Sequence, residues 1–415
     1  MTLRLLPVSK LIFYLLIVIL PINLGLHFVT SSSYVGGLLI DYLVPTIFVQ
    51  DILAFALCAA WLIENPKSVL ITIFSKRYFP FICLLYIFFL STLIAARSVP
   101  STYEFFRWFL YILVAIYAGT RFEYKTDFSF VTKTFCIWIL LLGILALGQF
   151  IKQGAVFNNY LFLGEQPYNI DTPLINHENV FGTWRVPAYG LFRHPNAFGG
   201  FLAITLTWVF YAFKRKSISR NLFTAVFHFG IAGLLCTFSM FAWAAFLLGV
   251  CFIISWEYPK MRWCLIYFVA AAVFAGLLLN HIPFPISLAD NPSVYKRVQL
   301  LEAGYAIISS YGYLFGAGLN SSTVVIEHFL EPTHYLRFDQ PTHNIFILIM
   351  AETGLLGLLL FVWILLKSLK HAYIHNYLIF VTLLQVIFIS SFDHYFVTIQ
   401  QTFLLFCLLL GIALA

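Results

Sequence analysis

The stretch PTHNIFILIMAETGLLG, residues 341–357, runs from a short polar approach ending in His343 and Asn344 straight into an apolar helix with glycines at 354 and 357. An imidazole at the mouth of a membrane helix requires a partner or a role, because an unpaired polar group at that depth is costly. At 100° per residue, Gly354 falls about 20° from His343 and Gly357 roughly 40° to the other side, so one helical face carries all three. Small residues on that face predict a neighbouring helix in close approach beneath His343. Glu352 projects about 180° away and is not expected to be the direct partner of His343. Taken alone, a histidine at a helix start is more often a cap or an interfacial hydrogen-bonding group than a catalyst.

The whole chain has the character of this stretch. Of its 415 residues 61% are hydrophobic, 19% aromatic and only 10% charged, which is outside the range of water-soluble domains. Apolar windows long enough to cross about 30 Å of hydrocarbon recur from end to end, so residues 1–415 read as one polytopic, all-α membrane domain. All seven cysteines fall in apolar segments, so no disulfide framework is indicated. No Cys/His cluster has zinc-ligand spacing and no nucleotide-binding loop is present, so no metal or cofactor is called for. The net charge of +7 is better explained by anchoring of cytoplasmic loops than by a nucleic-acid partner.

About twelve transmembrane helices are expected, near 10–27, 42–63, 78–96, 105–120, 129–151, 193–213, 221–236, 238–255, 263–281, 343–366, 376–392 and 397–414. The apolar run after Arg4 and Lys10 has no small-residue cleavage site behind it, so it reads as a retained first span. The block at 221–255 is split near Thr237. With both termini cytoplasmic, 16 of the 24 basic residues fall inside, which satisfies the positive-inside preference. The other eight, Arg97, Arg107, Lys152, Arg185, Arg193, Lys296, Arg297 and Arg337, lie outside and require another reason to exist.

Two outer segments are long, 152–192 and 282–342. In the second, Val298, Leu301, Tyr305 and Ile308 recur at helical spacing and predict an amphipathic helix at the membrane surface, with Lys296 and Arg297 in its first turns and Gly316 and Gly318 breaking it. In the first, GLFRHPNAFGG (residues 190–200) sets Arg193 and Pro195 at the entrance of a span, Pro195 suiting an early helical position. One arginine there is readily explained by snorkelling to the interface. Arg193 and Arg297, with Arg185 and Arg337, on one outer face suit a diphosphate, because guanidinium groups bind its oxygens bidentately and stay charged when partly desolvated. Glu104 and Arg107, three apart, are expected to pair with each other. Asp393 and His394 in FDHYFVTIQQ read as satisfied polar ends of a helix hairpin, with lining of the lipid path as the alternative.

His-Asn followed after nine residues by Gly and after two more by Gly, together with GLFRHPNAFGG and with Arg297 before Gly316-Ala-Gly318, resembles the signature motifs of the bacterial O-antigen ligase and O-antigen polymerase superfamily. The resemblance spans roughly residues 185–360. It implies a GT-C-like integral membrane fold and a glycan donor linked to undecaprenyl diphosphate. It also implies metal-independent inverting transfer to a glycolipid or polysaccharide acceptor at the outer face of the bacterial inner membrane, with membrane lipid as the surrounding partner. Carried onto this chain it makes His343, Arg193 and Arg297 the catalytic candidates, and Arg185, Asn196, Lys296, Arg337 and Asn344 the substrate-binding candidates. The chain departs from the family at Thr237-Phe-Ser239-Met240, where the family often has Thr-x-Ser-Arg.

In that chemistry diphosphate leaves without protonation if its charge is matched, so cations on the donor and one base for the acceptor hydroxyl suffice. Arg193 and Arg297 suit the first role. His343 suits the second, or else binds the diphosphate. Within the superfamily, ligase, polymerase and protein O-glycosylation remain open. A transporter is the reading from another class, but no two related halves with paired interrupted helices are evident.

Overall fold

Prolines and glycines cut the apolar chain into its elements. The computed structural model describes residues 6–180, 182–258, 292–330 and 340–415; the segment 263–281, expected as the ninth span, and Arg337 lie outside them. The helices are α1 (Val8–Val18), α2 (Val49–Glu64), α3 (Pro66–Ile73), α4 (Phe79–Leu93), α5 (Ser98–Arg121), α6 (Tyr124–Lys152), α7 (Pro195–Lys214), α8 (Arg220–Cys236) and α9 (Met240–Glu257). They continue with α10 (Pro292–Tyr311), α11 (Ser322–Val325), α12 (Ile345–His375), α13 (Tyr377–Ser390), α14 (Tyr395–Thr398) and α15 (Gln400–Ala413). Each of the other eleven expected spans overlaps one of them.

Four of the described helices, α6, α7, α9 and α12, are long and apolar enough to cross a membrane, and α2 with α3, bent by 114°, would make a fifth. Five further apolar helices are shorter. The chain is therefore an integral membrane protein, mostly helical. The small β content departs from the all-α expectation. Pro21 and Pro45 cannot continue a helix; after the first, β1 (Gly25–His27) pairs antiparallel with β4 (Thr46–Phe48), which follows the second, around a tiny β2 (Tyr34–Val35) and β3 (Leu38–Leu39) hairpin. Asp51 then caps the start of α2 by accepting from Phe48 N at 2.9 Å. Another hairpin, β5 (Glu178–Val180) with β6 (Thr183–Arg185), rises from the 152–192 segment.

The split near Thr237 is where the chain breaks, with Phe238 at φ 51° between α8 and α9. The last helix is not a peripheral span. Every residue of α15 is buried, packed against α5, α7, α12 and α13, as expected for a helix hydrophobic all round.

In α10 the buried stripe is Leu300, Ala303, Ile307 and Ile308, with Val298 and Tyr305 exposed, so the packed face is shifted from the expected one. Gly304 of that helix lies against Ile347 of α12.

α12 itself is not straight. Gly354 sits at φ 70°, ψ −172° and breaks the ladder. Leu355 N donates to Tyr313 O at 2.7 Å instead of to its own helix, and the two released carbonyls, of Ala351 and Glu352, accept from Ala317 N (2.8 Å) and Gly318 N (2.9 Å). The face common to His343, Gly354 and Gly357 therefore does not exist as drawn from ideal geometry. His343 precedes the Asn344 cap, Gly354 meets the 313–316 loop rather than a helix, and Gly357 looks onto the Thr353 hydroxyl of its own helix.

A methyl group at Gly354 would sit 2.1 Å from Leu314 O, whereas at Gly37, also at positive φ, nothing lies within 4 Å. Gly37→Ala should therefore cost only the conformational strain, about 1 kcal/mol. Gly354→Ala should lose far more, read as a much larger fall in melting temperature of the purified protein. Equal shifts for the two would show that the loop does not grip the kink.

Candidate active site

Three helix starts and one turn meet at a single end of the bundle. His194 is the N-cap of α7, its Nδ1 accepting from Asn196 N at 3.1 Å. Asn344 caps α12 with its side-chain oxygen, which accepts from Phe346 N and Ile347 N, while its Nδ2 donates to Ser391 O at 3.0 Å. That last bond ties the mouth of α12 to the turn carrying Asp393 and His394. Asn344 thus spends its side chain on holding His343 against that turn.

Asp393 is the hub. Its carboxylate accepts from Asn196 Nδ2 at 2.9 Å and from His394 N at 2.8 Å, and Arg297 Nη2 lies 3.9 Å away. The His343 and His394 rings stand edge to face with centroids 4.9 Å apart. His394 Nδ1 lies 2.7 Å from Thr398 Oγ1, which itself donates to the His394 carbonyl. The hydroxyl therefore accepts from Nδ1–H and the lone pair of His394 falls on Nε2. His343 Nδ1 is buried without a hydrogen-bond partner among the described residues.

The cations are held by aromatic faces. Arg297 lies over the Phe241 ring at 5.1 Å, and Phe241 stacks on Phe392, the residue before Asp393. Position 240, where the family often has arginine, is here an exposed Met240 at the start of α9, one residue before that ring. Arg193 lies 5.9 Å from the Phe48 ring centroid and donates through Nη2 to His27 Nε2 at 2.9 Å. His27 must accept, since guanidinium only donates; burial and the Arg193 charge both hold it below its ordinary value of 6.5. Lys296 is half-buried, and burial brings its ammonium down to about 8.

Burial likewise pushes His343 down to about 3 and His194 and His394 down to about 4, outweighing the nearby Asp393 charge. For Asp393 burial works upward, but His343, His394, Arg297 and His194 outweigh it and hold the carboxyl at about 2. At neutral pH the site is therefore an anionic carboxylate among neutral imidazoles, bordered by cations.

Of the sequence candidates, Arg297, Asn196, His343 and Asn344 converge on the Asp393 turn, and Lys296 adjoins it. Arg193 stands beside it on the β1–β4 side. Arg185 is exposed on β6, opposite Glu178, with no contact to this cluster among the described residues. His194 and His27 are additions that the sequence did not single out for the site, and Asp393 and His394 were read as a hairpin end, with lining of the lipid path as the alternative. One signal was available: Asp393 and His394 are the only ionisable Asp, Glu, Lys, Arg or His side chains after His375.

Ligand atoms of His343, Asp393 and His394 lie within 4.8 Å of one another, a spacing that could gather round a metal ion. Zinc ligands lie about 2 Å from the ion, so the group would have to contract, and it already faces Arg297.

The family model described as O-Antigen ligase matches residues 225–362, about a third of the chain. The match takes in Arg297, His343 and the α12 kink, and it supports the O-antigen ligase superfamily. It implies a membrane glycosyltransferase of ligase or polymerase type, acting on lipid-linked glycan and polysaccharide. No curated protein matches the chain.

Unfolded, each imidazole takes up a proton below 6.5; folded, these three do not until about 3 to 4. Across that window the unfolded state binds more protons, so stability falls as pH falls. The melting temperature of purified protein should decline with acid below pH 6.5, and His343→Gln or His394→Gln should flatten the decline. An unchanged slope in both would mean that these rings are not buried neutral.

Proposed function

We propose that this chain, whose residues 225–362 match the family model described as O-Antigen ligase, transfers a glycan from undecaprenyl diphosphate to an acceptor hydroxyl at the outer face of the bacterial inner membrane. The reading rests on one observation: Arg297, Lys296 and three neutral imidazoles converge on the Asp393 turn, with Arg193 alongside. An anion and a base are the two things such a site can serve.

The donor diphosphate binds Arg193 and Arg297, whose planar groups match its oxygens. The acceptor oxygen attacks the anomeric carbon from the opposite face, the bond to the diphosphate breaks, and the acceptor proton passes to His343, a single displacement with inversion. With the site empty, His343 is too weak a base. The diphosphate's negative charge offsets Arg297 and Lys296 and raises the basicity of the ring as the donor arrives. Asp393 then stabilises the imidazolium. The guanidinium and ammonium charges take the place of a divalent ion, which makes the transfer metal-independent. Ligase and polymerase differ here only in the acceptor.

We extend the architecture to twelve spans in a GT-C-like arrangement, with both termini cytoplasmic and the 152–192 and 282–342 segments outside. The positive-inside count supports this orientation. Leu174, 85% exposed in the first of these segments, is a suitable probe. Leu174→Cys should react with an impermeant maleimide in intact cells; reaction only after permeabilisation would invert the topology and remove the site from the outer face.

His343→Ala should abolish transfer from a purified lipid-diphosphate donor while full-length protein persists in the membrane. Arg193→Lys and Arg297→Lys keep charge but lose the fork, and each should cut transfer by about tenfold or more. Activity should survive EDTA. Near-normal rates for both lysine variants, with melting temperatures intact, would sink the diphosphate clamp; a metal requirement would return the His343–Asp393–His394 group to the role of ion ligand.

A further inference from the structure

A second polar feature lies beside the Asp393 turn and, apart from Arg193, takes no part in the chemistry above. A cavity of ≈ 50 Å³ opens next to Arg193, walled by α5, α12 and the β1–β4 region. Into its wall go three carboxyl groups, Asp41, Glu104 and Glu352, and the guanidinium groups of Arg107 and Arg193. It also reaches Thr398, the partner of the His394 ring, and Pro341, two residues before His343. Its lining thus includes Arg193 of the proposed diphosphate clamp and borders the segment leading to the proposed base.

Ionisable groups at such a place are expensive to keep and are rarely without function. Arg107 is buried; it pairs with Glu104 at 3.2 Å, as the three-residue spacing predicts, and donates to the carbonyls of Val397 and Thr398. Glu352 accepts from Ser322 Oγ at 2.7 Å. Yet the Nε of Arg107 and the Nε of Arg193 are both buried without a partner among the described residues, and two such donors call for acceptors.

The wall selects the class of ligand. Two guanidiniums against three carboxyls leave no positive excess, so a second phosphate gains nothing there, and a lipid chain would bury those charges against hydrocarbon. A neutral polyol suits it: hydroxyls donate to the carboxyls and accept from the guanidiniums. The rings of Phe48, Tyr103 and Trp108 on the same wall supply apolar faces for C–H edges. The volume holds a few waters at about 10–15 Å³ each, which fits the hydroxyl-bearing edge of one pyranose rather than a whole saccharide.

From this juxtaposition we infer that the cavity is a recognition slot for the sugar attached directly to the donor diphosphate, reading its ring hydroxyls through Glu352, Glu104 and Arg107. The inference rests on the proposed glycan transfer and adds which part of the donor is selected.

The test begins with wild-type protein in detergent and polyprenyl diphosphates bearing glucose, galactose or their N-acetylated forms. The best-transferred sugar is then compared with its monodeoxy derivatives. At least one missing ring hydroxyl should cost about tenfold or more in kcat/KM, because a site built for a hydroxyl rejects the analogue lacking it. In Glu352→Gln and Glu104→Gln, which keep the shape of the slot, that penalty should shrink several-fold, coupling the hydroxyl to the wall.

Overturning results are distinct. If no deoxy donor loses more than about twofold in wild type, the slot does not read the sugar. Penalties that persist undiminished in both variants, with melting temperatures retained, remove this wall from the reading. Coupling that appears with deoxy acceptors instead assigns the slot to the acceptor and overturns the donor assignment. Transfer of none of the sugars by wild type would defeat the glycosyltransferase reading itself.

Discussion

A buried helix that breaks in its middle must hand its carbonyls to something. The break at Gly354 releases those of Ala351 and Glu352, and the Gly316-Ala317-Gly318 turn supplies the N–H groups that take them. Ser91 Oγ of α4 adds a second donor to Glu352 O at 2.9 Å. In a medium without water an orphaned carbonyl costs several kcal/mol, so the turn and the kink are obligatory to each other. The segment after α10 is thereby fixed on α12, and with it the first turns of α10 that carry Lys296 and Arg297 are kept near His343.

The same logic explains why polar groups at the site do two jobs at once. Asn344 caps one helix and ties a turn; His194 caps another while sensing the Asp393 charge; Thr398 fixes the tautomer of His394. Arg107, below them, donates to the carbonyls of Val397 and Thr398 and so braces α14 from underneath. Each bond satisfies a group that secondary structure leaves open, and the sum of these local obligations is a preorganised cluster. In the proposed transfer, little reorganisation is then left for the moment of reaction, which is where electrostatic catalysis gains most.

Much of this was legible in sequence for identifiable reasons. Apolar length locates helices, Pro195 marks a start, and the break at Thr237 and the Glu104–Arg107 pair follow from local spacing. Arg193, Arg297 and His343 stood out because charge and imidazole are conspicuous in an apolar chain. Asp393 and His394 did not, since a polar pair in a tight turn has the same pattern whether it merely ends two helices or gathers residues from distant parts of the chain, Asn196 lying 197 positions away. His27 was equally silent: its contact with Arg193 spans 166 residues and is created by a strand pairing that the expectation of a helix at 10–27 excluded. The helical face through His343 and Gly354 failed for a third reason. An ideal rotation of 100° per residue holds only while every residue is helical, and glycine is the residue most able to leave that state.

The placement of α15 bears on how the protein can be built. This helix is buried on every side, and it follows all the other described elements in the chain. During synthesis α5, α7, α12 and α13 must therefore enter the bilayer before the helix they surround exists, and they cannot close on one another until it arrives. The turn with Asp393 and His394 travels into place just ahead of it. A nascent chain halted anywhere before residue 400 would hold its cationic residues around an unfilled centre, so assembly of the polar cluster at the Asp393 turn and completion of the core are one event.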